Sequence, residues 1–201
     1  MSNRPIGVFD SGLGGLTVLK EINKLLPNEN IVYFGDTARV PYGPRSKETV
    51  IQYTFQAINF LISQNVKAIV IACNTATART LKLAQKKYDI PIIGVIEAGA
   101  RTAAYTTKNN IVGVIGTQGT INSKAYNLEI SKLNKDIRII DKACPLFVPI
   151  VEEGWSNTDI AHLTAKRYLQ ELIDKGIDSL VLGCTHYPLL KKTIGEVVGE
   201  N

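Results

Sequence analysis

Six short apolar runs, rich in β-branched residues, recur along this chain and alternate with longer segments of helical period. Such runs are typical of strands, and strands that alternate with helices imply βαβ units and parallel sheets. In parallel sheets the functional side chains gather at the carboxyl ends of the strands. The predicted strands are Pro5–Phe9, Asn30–Phe34, Lys67–Ala72, Asn110–Ile115, Ile137–Asp141 and Asp178–Leu182.

Two of the intervening segments carry apolar side chains at steps of three and four residues, which is the period of an amphipathic helix. The first segment covers Val50–Ile62 and the second covers Ile160–Ile173. Gly176 follows the second segment, where a glycine commonly ends a helix. We therefore predict helices over both segments, the second ending before Gly176.

The chain is also similar to itself. The stretch Ile6–Gly12 resembles Val112–Gln118, and Ala68–Thr75 resembles Ser179–His186. Each half thus has an apolar strand that leads into a cysteine and then into hydroxyl-bearing residues. We predict an α/β fold of two similar lobes, each a parallel sheet flanked by helices, with the active site in the cleft between them. The predicted lobes are residues 1–96, with the first cysteine, and residues 97–201, with the second.

Composition limits the class of protein. Of the 201 residues, 45% are hydrophobic and 20% are charged, the balance of an ordinary globular protein. No apolar stretch approaches the ~20 residues of a membrane-spanning helix, and the N-terminus does not read as a secretory signal. We predict a cytoplasmic protein with no membrane partner. The net charge is +5, but lysines and arginines are scattered, which predicts no nucleic-acid partner and suits an anionic small-molecule substrate.

Three cysteines, Cys73, Cys144 and Cys184, lie far apart in the sequence. Their odd number and the lack of a CxxC pair argue against a disulfide framework. The chain has two histidines and no repeated ligand spacing, which argues against a metal site. A single buried cysteine most often fills core space, and we predict that role for Cys144, which precedes Pro145.

Cys73 and Cys184 share a context that indicates chemistry. Each is predicted to stand between a strand and a helix, where free N–H groups and the helix dipole favour a thiolate over a thiol. If the lobes face one another, the two thiols approach one ligand from opposite sides. Such a pair can remove a proton from one face of a carbon and return another proton to the opposite face.

The loops after the predicted strands offer further candidates. The glycine-rich turn Asp10–Gly15 can present backbone N–H groups to a carboxylate or a phosphate, and Asp10 suits an ammonium group or a thiol. The loop Gly35–Arg45, dense in Pro and Gly, is either an active-site edge or a tight connection with solvated arginines. His186 could assist the proton of Cys184. Glu152 and Glu153 are interpreted as a solvated acidic pair.

Four motifs together resemble the glutamate racemase family, in its order and spacing over essentially the whole chain. They are Asp10–Gly15, Pro41–Arg45, Ala72–Thr77 and Gly183–Leu190. The resemblance implies reversible interconversion of L- and D-glutamate, which supplies D-glutamate for peptidoglycan. It implies no pyridoxal phosphate, metal or nucleotide cofactor. A homodimer is common in the family, with an interface that differs among its members.

By this resemblance, Cys73 exchanges the α-proton with D-glutamate and Cys184 exchanges it with L-glutamate. Asp10 and His186 are implied to assist the two thiols, with a supporting role for Glu152. Thr117 is the counterpart of Ser11 in the second half and is a further candidate for contact with the substrate. The positions implied to bind substrate are Asp10, Ser11, Tyr42, Gly43, Asn74, Thr75, Thr185 and His186.

Three other hypotheses stay open at this stage. The first is a related racemase for aspartate or another acid, and the second is an α/β module that binds an anion without catalysis. The third is a dithiol redox protein, which the lack of CxxC disfavours. Family members usually continue past the position where this chain ends, with elements that return to the first lobe. We therefore expect part of that scaffold to be absent here.

Overall fold

The structure is a computed structural model that describes residues 3–199. It divides into two compact units, Met1–Val95 (unit 1) and Ile96–Asn201 (unit 2). The boundary predicted between residues 96 and 97 falls at the start of a helix, Ile96–Thr106. Each unit has its own sheet and its own core.

Unit 1 contains a four-stranded parallel sheet among its described residues, with strand order β2-β1-β3-β4. The strands run in register, so that Val8 of β1 lies opposite Tyr33 of β2 and Val70 of β3. The strands are β1 Ile6–Asp10, β2 Ile31–Gly35, β3 Ala68–Ile71 and β4 Ile92–Gly94, and the helices are α1 Leu16–Leu25, α2 Lys47–Ser63 and α3 Asn74–Lys87.

Unit 2 contains a three-stranded parallel sheet among its described residues, with strand order β6-β5-β7. A 3-10 helix over Tyr187–Leu190 follows the last strand. The strands are β5 Ile111–Gly116, β6 Arg138–Ala143 and β7 Ser179–Gly183, and the α-helices are α4 Ile96–Thr106, α5 Gln118–Ser123, α6 Ala125–Leu133, α7 Phe147–Glu152, α8 Asp159–Asp174 and α9 Lys191–Val198.

The two sheets share a topology that confirms the predicted internal similarity. β1 pairs with β2 and β3, and β5 pairs in the same way with β6 and β7. All six predicted strands are present, and the predicted fold class is confirmed. β4 was not predicted, because its three residues are too few to show a period.

Two apolar cores hold the sheets. In unit 1, Phe9, Ile69 and Ile71 are fully buried against the apolar sides of α2 and α3. In unit 2, α8 buries Leu169 and Leu172 against the sheet. Alternate residues of each strand therefore fix the sheet against its helices, and the carboxyl ends of the strands are left to carry function.

The end of α8 confirms the stop predicted at Gly176. Gly176 has φ +73°, its N–H donates to Ile173 O at 2.9 Å, and the N–H of Ile177 donates to Leu172 O at 3.4 Å. These two bonds form a Schellman motif, which satisfies carbonyl groups at the helix end. Only glycine takes this left-handed conformation without steric cost.

Candidate active site

Unit 1 gathers polar side chains where β1, β2 and β3 end. Asp10 is the last residue of β1, Asp36 follows β2, and Cys73 lies two residues after β3. The parallel ladder continues past the strand ends, since Ala72 N donates to Phe9 O at 2.8 Å and Asp36 N donates to Asp10 O at 3.0 Å. Asp10, Asp36 and Cys73 are all buried. The sheet thus brings two carboxyl groups and a thiol to one edge.

Cys73 is the N-cap of α3, as its predicted position between a strand and a helix requires. Its Sγ donates to Ser11 Oγ at 3.4 Å. Asn74 and Thr75, the first residues of α3, are buried beside it, at 6% and 3% exposure. The structure therefore places Asp10, Ser11, Cys73, Asn74 and Thr75 in one group.

The predicted lowering of the Cys73 pKa by the helix is wrong for the resting protein. Burial and, to a smaller extent, the nearby charge of Asp10 raise the pKa of Cys73 to about 11. The Ser11 hydroxyl and the backbone N–H groups of Ala76 and Ser11 act in the opposite direction, but they do not overcome desolvation. Cys73 is therefore a protonated thiol at neutral pH.

Asp36 organises the loop that follows β2. Tyr42 is buried, and its hydroxyl donates to Asp36 Oδ2 at 2.5 Å. Arg39 Nε donates to the same oxygen at 2.7 Å, while Arg45 is exposed. Arg39 is thus tied into the loop, whereas Arg45 is solvated. Burial and the Asp36 contact raise the pKa of Tyr42 well above its ordinary value, so its phenol stays protonated.

The Asp36 contacts position Tyr42 near the thiol, since Tyr42 and Cys73 lie in the same core and the charge of a Cys73 thiolate would raise the pKa of Tyr42. Gly43, the next residue, is buried. Asp36 was not among the predicted site residues. The signal that could have found it is its place after β2, at the same sheet edge as Asp10.

Unit 2 brings Cys184 together with an imidazole and a carboxylate. Cys184 follows β7, and its Sγ lies 3.8 Å from His186 Nδ1. His186 Nε2 lies 2.5 Å from Glu152 Oε1. A carboxylate only accepts hydrogen bonds, so Nε2 carries a proton, and in the neutral imidazole Nδ1 is then the nitrogen that can accept from the thiol. His186 is therefore oriented by Glu152 to take up or return the proton of Cys184.

Glu152 corrects one interpretation of the sequence. Glu152 and Glu153 are both exposed, but Glu152 ends α7 with its carboxylate 2.5 Å from His186 Nε2 and is therefore not merely solvated. The sequence alone could not predict the contact between Glu152 and His186, since the two residues are 34 positions apart.

The helix predicted to begin at Cys184 differs from what the structure shows there. A 3-10 helix, Tyr187–Leu190, comes first, and α9 begins only at Lys191. A favourable helix dipole needs an α-helix N-terminus at the cysteine, and Cys184 therefore does not have one.

The remaining candidates of unit 2 lie at the same edge of its sheet. Thr117 follows β5, caps α5 by accepting from Thr120 N at 3.3 Å, and is buried. Thr185, between Cys184 and His186, is also buried. Cys144 is fully buried in the core, as predicted, and burial raises its pKa to about 12.

Within residues 3–199, no group of three or more His, Cys, Asp or Glu side chains could hold a metal ion. The helices of this described range also include none long and apolar enough to cross a membrane. Chemically, each unit offers one thiol with its own polar partners. Unit 1 places a carboxylate and a hydroxyl beside its thiol, and unit 2 places a carboxylate-oriented imidazole beside its thiol. Both arrangements suit acid–base chemistry.

The chain belongs to the Asp/Glu/hydantoin racemase family, whose model matches residues 6–200. The glutamate racemase of Geobacter metallireducens is 56% identical over 197 residues, which cover 98% of this chain and 73% of that protein.

Solved structures are similar over the same range. The crystal structure of glutamate racemase isoform RacE1 from Bacillus anthracis has a TM-score of 0.95 at 46% identity, and the match covers 98% of this chain and 74% of that one. The glutamate racemase of Francisella tularensis, solved in complex with D-glutamate, has a TM-score of 0.93 at 49% identity and the same coverage.

Proposed function

We propose that this chain is a cofactor-independent glutamate racemase that interconverts L- and D-glutamate by exchange of the α-proton. In this proposal Cys73 exchanges the proton with D-glutamate and Cys184 exchanges it with L-glutamate. The observation that carries the proposal is that each unit holds one buried thiol with its own acid–base partner at the carboxyl end of a parallel strand. The similarity to glutamate racemases at 56% identity supports glutamate as the substrate.

The two thiols have different partners and therefore different tasks around the proton. At Cys184, His186 and Glu152 form a chain that can accept the thiol proton, so that a thiolate is available to attack the α-proton. At Cys73, the Ser11 hydroxyl and two backbone N–H groups favour the thiolate, while burial and Asp10 favour the thiol. Cys73 is thus set up in the resting protein to donate a proton, which is its task when L-glutamate is converted to D-glutamate.

The chemical difficulty is the weak acidity of a carbon-bound proton beside an ionised carboxylate. Buried hydroxyl, amide and backbone N–H groups can stabilise the charge that develops on that carboxylate. In unit 1 we assign this task to Ser11, Tyr42, Gly43, Asn74 and Thr75. In unit 2 we assign it to Thr185 and Thr117.

The test is proton NMR in deuterated water with L-glutamate, then with D-glutamate, and without added cofactor. We expect the α-proton signal to disappear with either enantiomer. Cys73→Ala and Cys184→Ala should each lower this exchange by at least about 10²-fold, because each variant removes one acid–base group.

Cys144→Ala is the matched control, since it removes the third cysteine from the core of unit 2 and should leave the exchange rate within a few-fold of the wild-type value. Aspartate is assayed in parallel. Absence of exchange by folded wild-type protein would contradict the racemase proposal. Faster exchange with aspartate would contradict only the assignment of glutamate.

The cellular setting is part of the same proposal. D-glutamate made by this reaction would supply peptidoglycan synthesis, and we place the protein in the cytoplasm on the family resemblance. A homodimer is the assembly that we propose, with its interface left open. Light scattering coupled to gel filtration checks the dimer, and a single monomeric peak would contradict it.

A further inference from the structure

Tyr33 lies outside every motif that carries the proposed function, yet it contacts the turn that forms the first half of the site. It is a half-buried residue of β2, opposite Val8 of β1. Its hydroxyl donates to the carbonyl oxygen of Gly12 at 2.7 Å, across 21 positions of sequence. Nothing in the register of the sheet requires this bond, because it joins a strand side chain to a loop carbonyl.

The other side of Gly12 is held as well. Its N–H donates to Asp10 Oδ2 at 3.0 Å. The backbone of Gly12 is therefore fixed by two side chains, the carboxylate of Asp10 on the N–H and the phenol of Tyr33 on the carbonyl. Ser11, between Asp10 and Gly12, is held in place by both bonds.

Two glycines leave the space that this arrangement needs. A Cβ at Gly15 would lie 2.3 Å from Asp10 Cβ and 2.8 Å from Tyr33 Oη. A Cβ at Gly35 would lie 2.5 Å from the carbonyl oxygen of Gly12. Asp10, Gly12 and Tyr33 thus pack against glycine backbone, and a side chain at either position would displace one of them.

This turn acts directly on the first thiol. Ser11 provides both its hydroxyl and its backbone N–H to Cys73, and Asp10 places a charge beside the same sulfur. A rotation of the turn about Gly12 would move all of these groups together. The balance between thiol and thiolate at Cys73 therefore depends on how firmly the turn is held.

We propose that Tyr33 is a positioning residue for Cys73, acting through the Gly12 carbonyl to hold Asp10 and Ser11 at the distances that the proton transfer requires. The inference rests on the proposed function. The phenol suits this task because burial, followed by the charges of Asp10 and Cys73, raises its pKa well above the ordinary value and keeps it a donor. The positioning role of Tyr33 affects only the half of the reaction in which Cys73 exchanges the α-proton.

The test is the primary isotope effect with glutamate deuterated at the α-carbon, measured separately for the two enantiomers in wild type and in Tyr33→Phe. Loss of the hydroxyl leaves a buried carbonyl without its donor, and we expect kcat/KM to fall on the order of tenfold. The fall must be equal in both directions, because the two enantiomers are equally stable. The isotope effect should rise with D-glutamate and decrease with L-glutamate, since transfer at Cys73 becomes the slower step.

Ser11→Ala shows in which direction the two isotope effects change when Cys73 is perturbed directly, because it removes a hydroxyl that bonds to Cys73 itself. Gly35→Ala is a second variant, which keeps the Tyr33 hydroxyl but places a Cβ 2.5 Å from the Gly12 carbonyl oxygen and 3.1 Å from Cε1 of the Tyr33 ring, and it should change the isotope effects in the same direction. Tyr88→Phe is the matched control, since it removes an exposed bond to Asn59 in the same unit, and it should leave both isotope effects unchanged.

Isotope effects in Tyr33→Phe and Gly35→Ala that equal those of wild type, or that change in the direction opposite to Ser11→Ala, would overturn the positioning role. These outcomes would leave the racemase proposal intact as long as the wild-type protein exchanges the α-proton. A wild-type protein without exchange contradicts the proposed function, and this inference with it.

Discussion

At the scale of single residues, two of the three buried thiols, Cys73 and Cys144, are held in their protonated form. Burial raises the pKa of Cys73 to about 11 and that of Cys144 to about 12, from an ordinary value of 9.0. For Cys73 this means that the resting protein presents an acid, and a base forms only when a proton leaves. For Cys144, which has no task in the proposed chemistry, it means only that the folded state retains a proton that the unfolded state releases.

These shifts predict a loss of stability at alkaline pH. A folded-state pKa above the unfolded value gives stability that is complete below about pH 9 and is lost as the pH rises towards about 12. Each thiol contributes up to about 1.4 kcal/mol per pH unit to this loss. Cys144→Ala removes one of the two contributions, so its free energy of unfolding should fall less steeply than that of wild type.

Urea unfolding of wild type and Cys144→Ala at about pH 8, 9 and 10 measures this difference in slope. The variant is expected to be less stable at pH 8, because it loses buried sulfur, and the gap should narrow as the pH rises. Parallel decreases in the two proteins would show that Cys144 titrates alike in the folded and unfolded states.

At the scale of elements, two helices of unit 2 offer a contrasting pair of glycines, one just past a helix end and one in a helix interior. Gly176 caps α8 with φ +73°, whereas Gly195 lies inside α9 with open space, free of other atoms to 4 Å, where an alanine Cβ would stand. Gly176→Ala should lower the free energy of unfolding by about 1 kcal/mol, because an alanine there is strained. Gly195→Ala should raise it by about 0.5–1 kcal/mol, because alanine is the better helix former. Thermal unfolding of both variants checks the two signs, and equal effects would contradict a role for backbone conformation.

The elements also show what the sequence could predict. Strands of four to six residues, such as β1 and β5, carry enough apolar positions to be recognised, and the cysteine motifs located both groups of polar residues. The contacts of Glu152 with His186 and of Tyr33 with Gly12 could not be predicted, because they join positions 34 and 21 residues apart through tertiary packing. The Cys73 pKa was mispredicted because the dipole of α3 was weighed without the desolvation that accompanies complete burial.

At the scale of the whole molecule, the shared topology explains why each unit supplies one thiol. In both sheets the first strand of the unit pairs with two neighbours and leads into a hydroxyl-bearing residue, Ser11 after β1 and Thr117 after β5. One of the two neighbouring strands leads into a cysteine, Cys73 after β3 and Cys184 after β7. The units differ in what surrounds the cysteine, since the Asp10 carboxylate lies near Cys73 and the His186 imidazole lies near Cys184. Such a difference is compatible with a racemase, because one thiol must be protonated while the other is deprotonated in either direction of the reaction.

The sheet of unit 1 leaves apolar surface open at its edge. Ile93 on the edge strand β4 is 56% exposed, and Val70 opposite it on β3 is only partly buried, whereas Ile92 on the other face is packed in the core. An exposed isoleucine on an edge strand favours association between copies, and a charged residue there opposes it. Ile93→Lys should therefore reduce self-association while changing the free energy of unfolding by no more than about 0.5 kcal/mol.

Light scattering over a series of protein concentrations, with urea unfolding alongside, measures both quantities. Leu163→Lys is the control, because Leu163 is 65% exposed on α8 of unit 2 and its replacement adds the same charge away from a sheet edge. An equal reduction in both variants would attribute the effect to net charge alone. A reduction confined to Ile93→Lys would assign it to the edge of the unit 1 sheet, since only there does the new lysine oppose strand pairing as well as apolar contact.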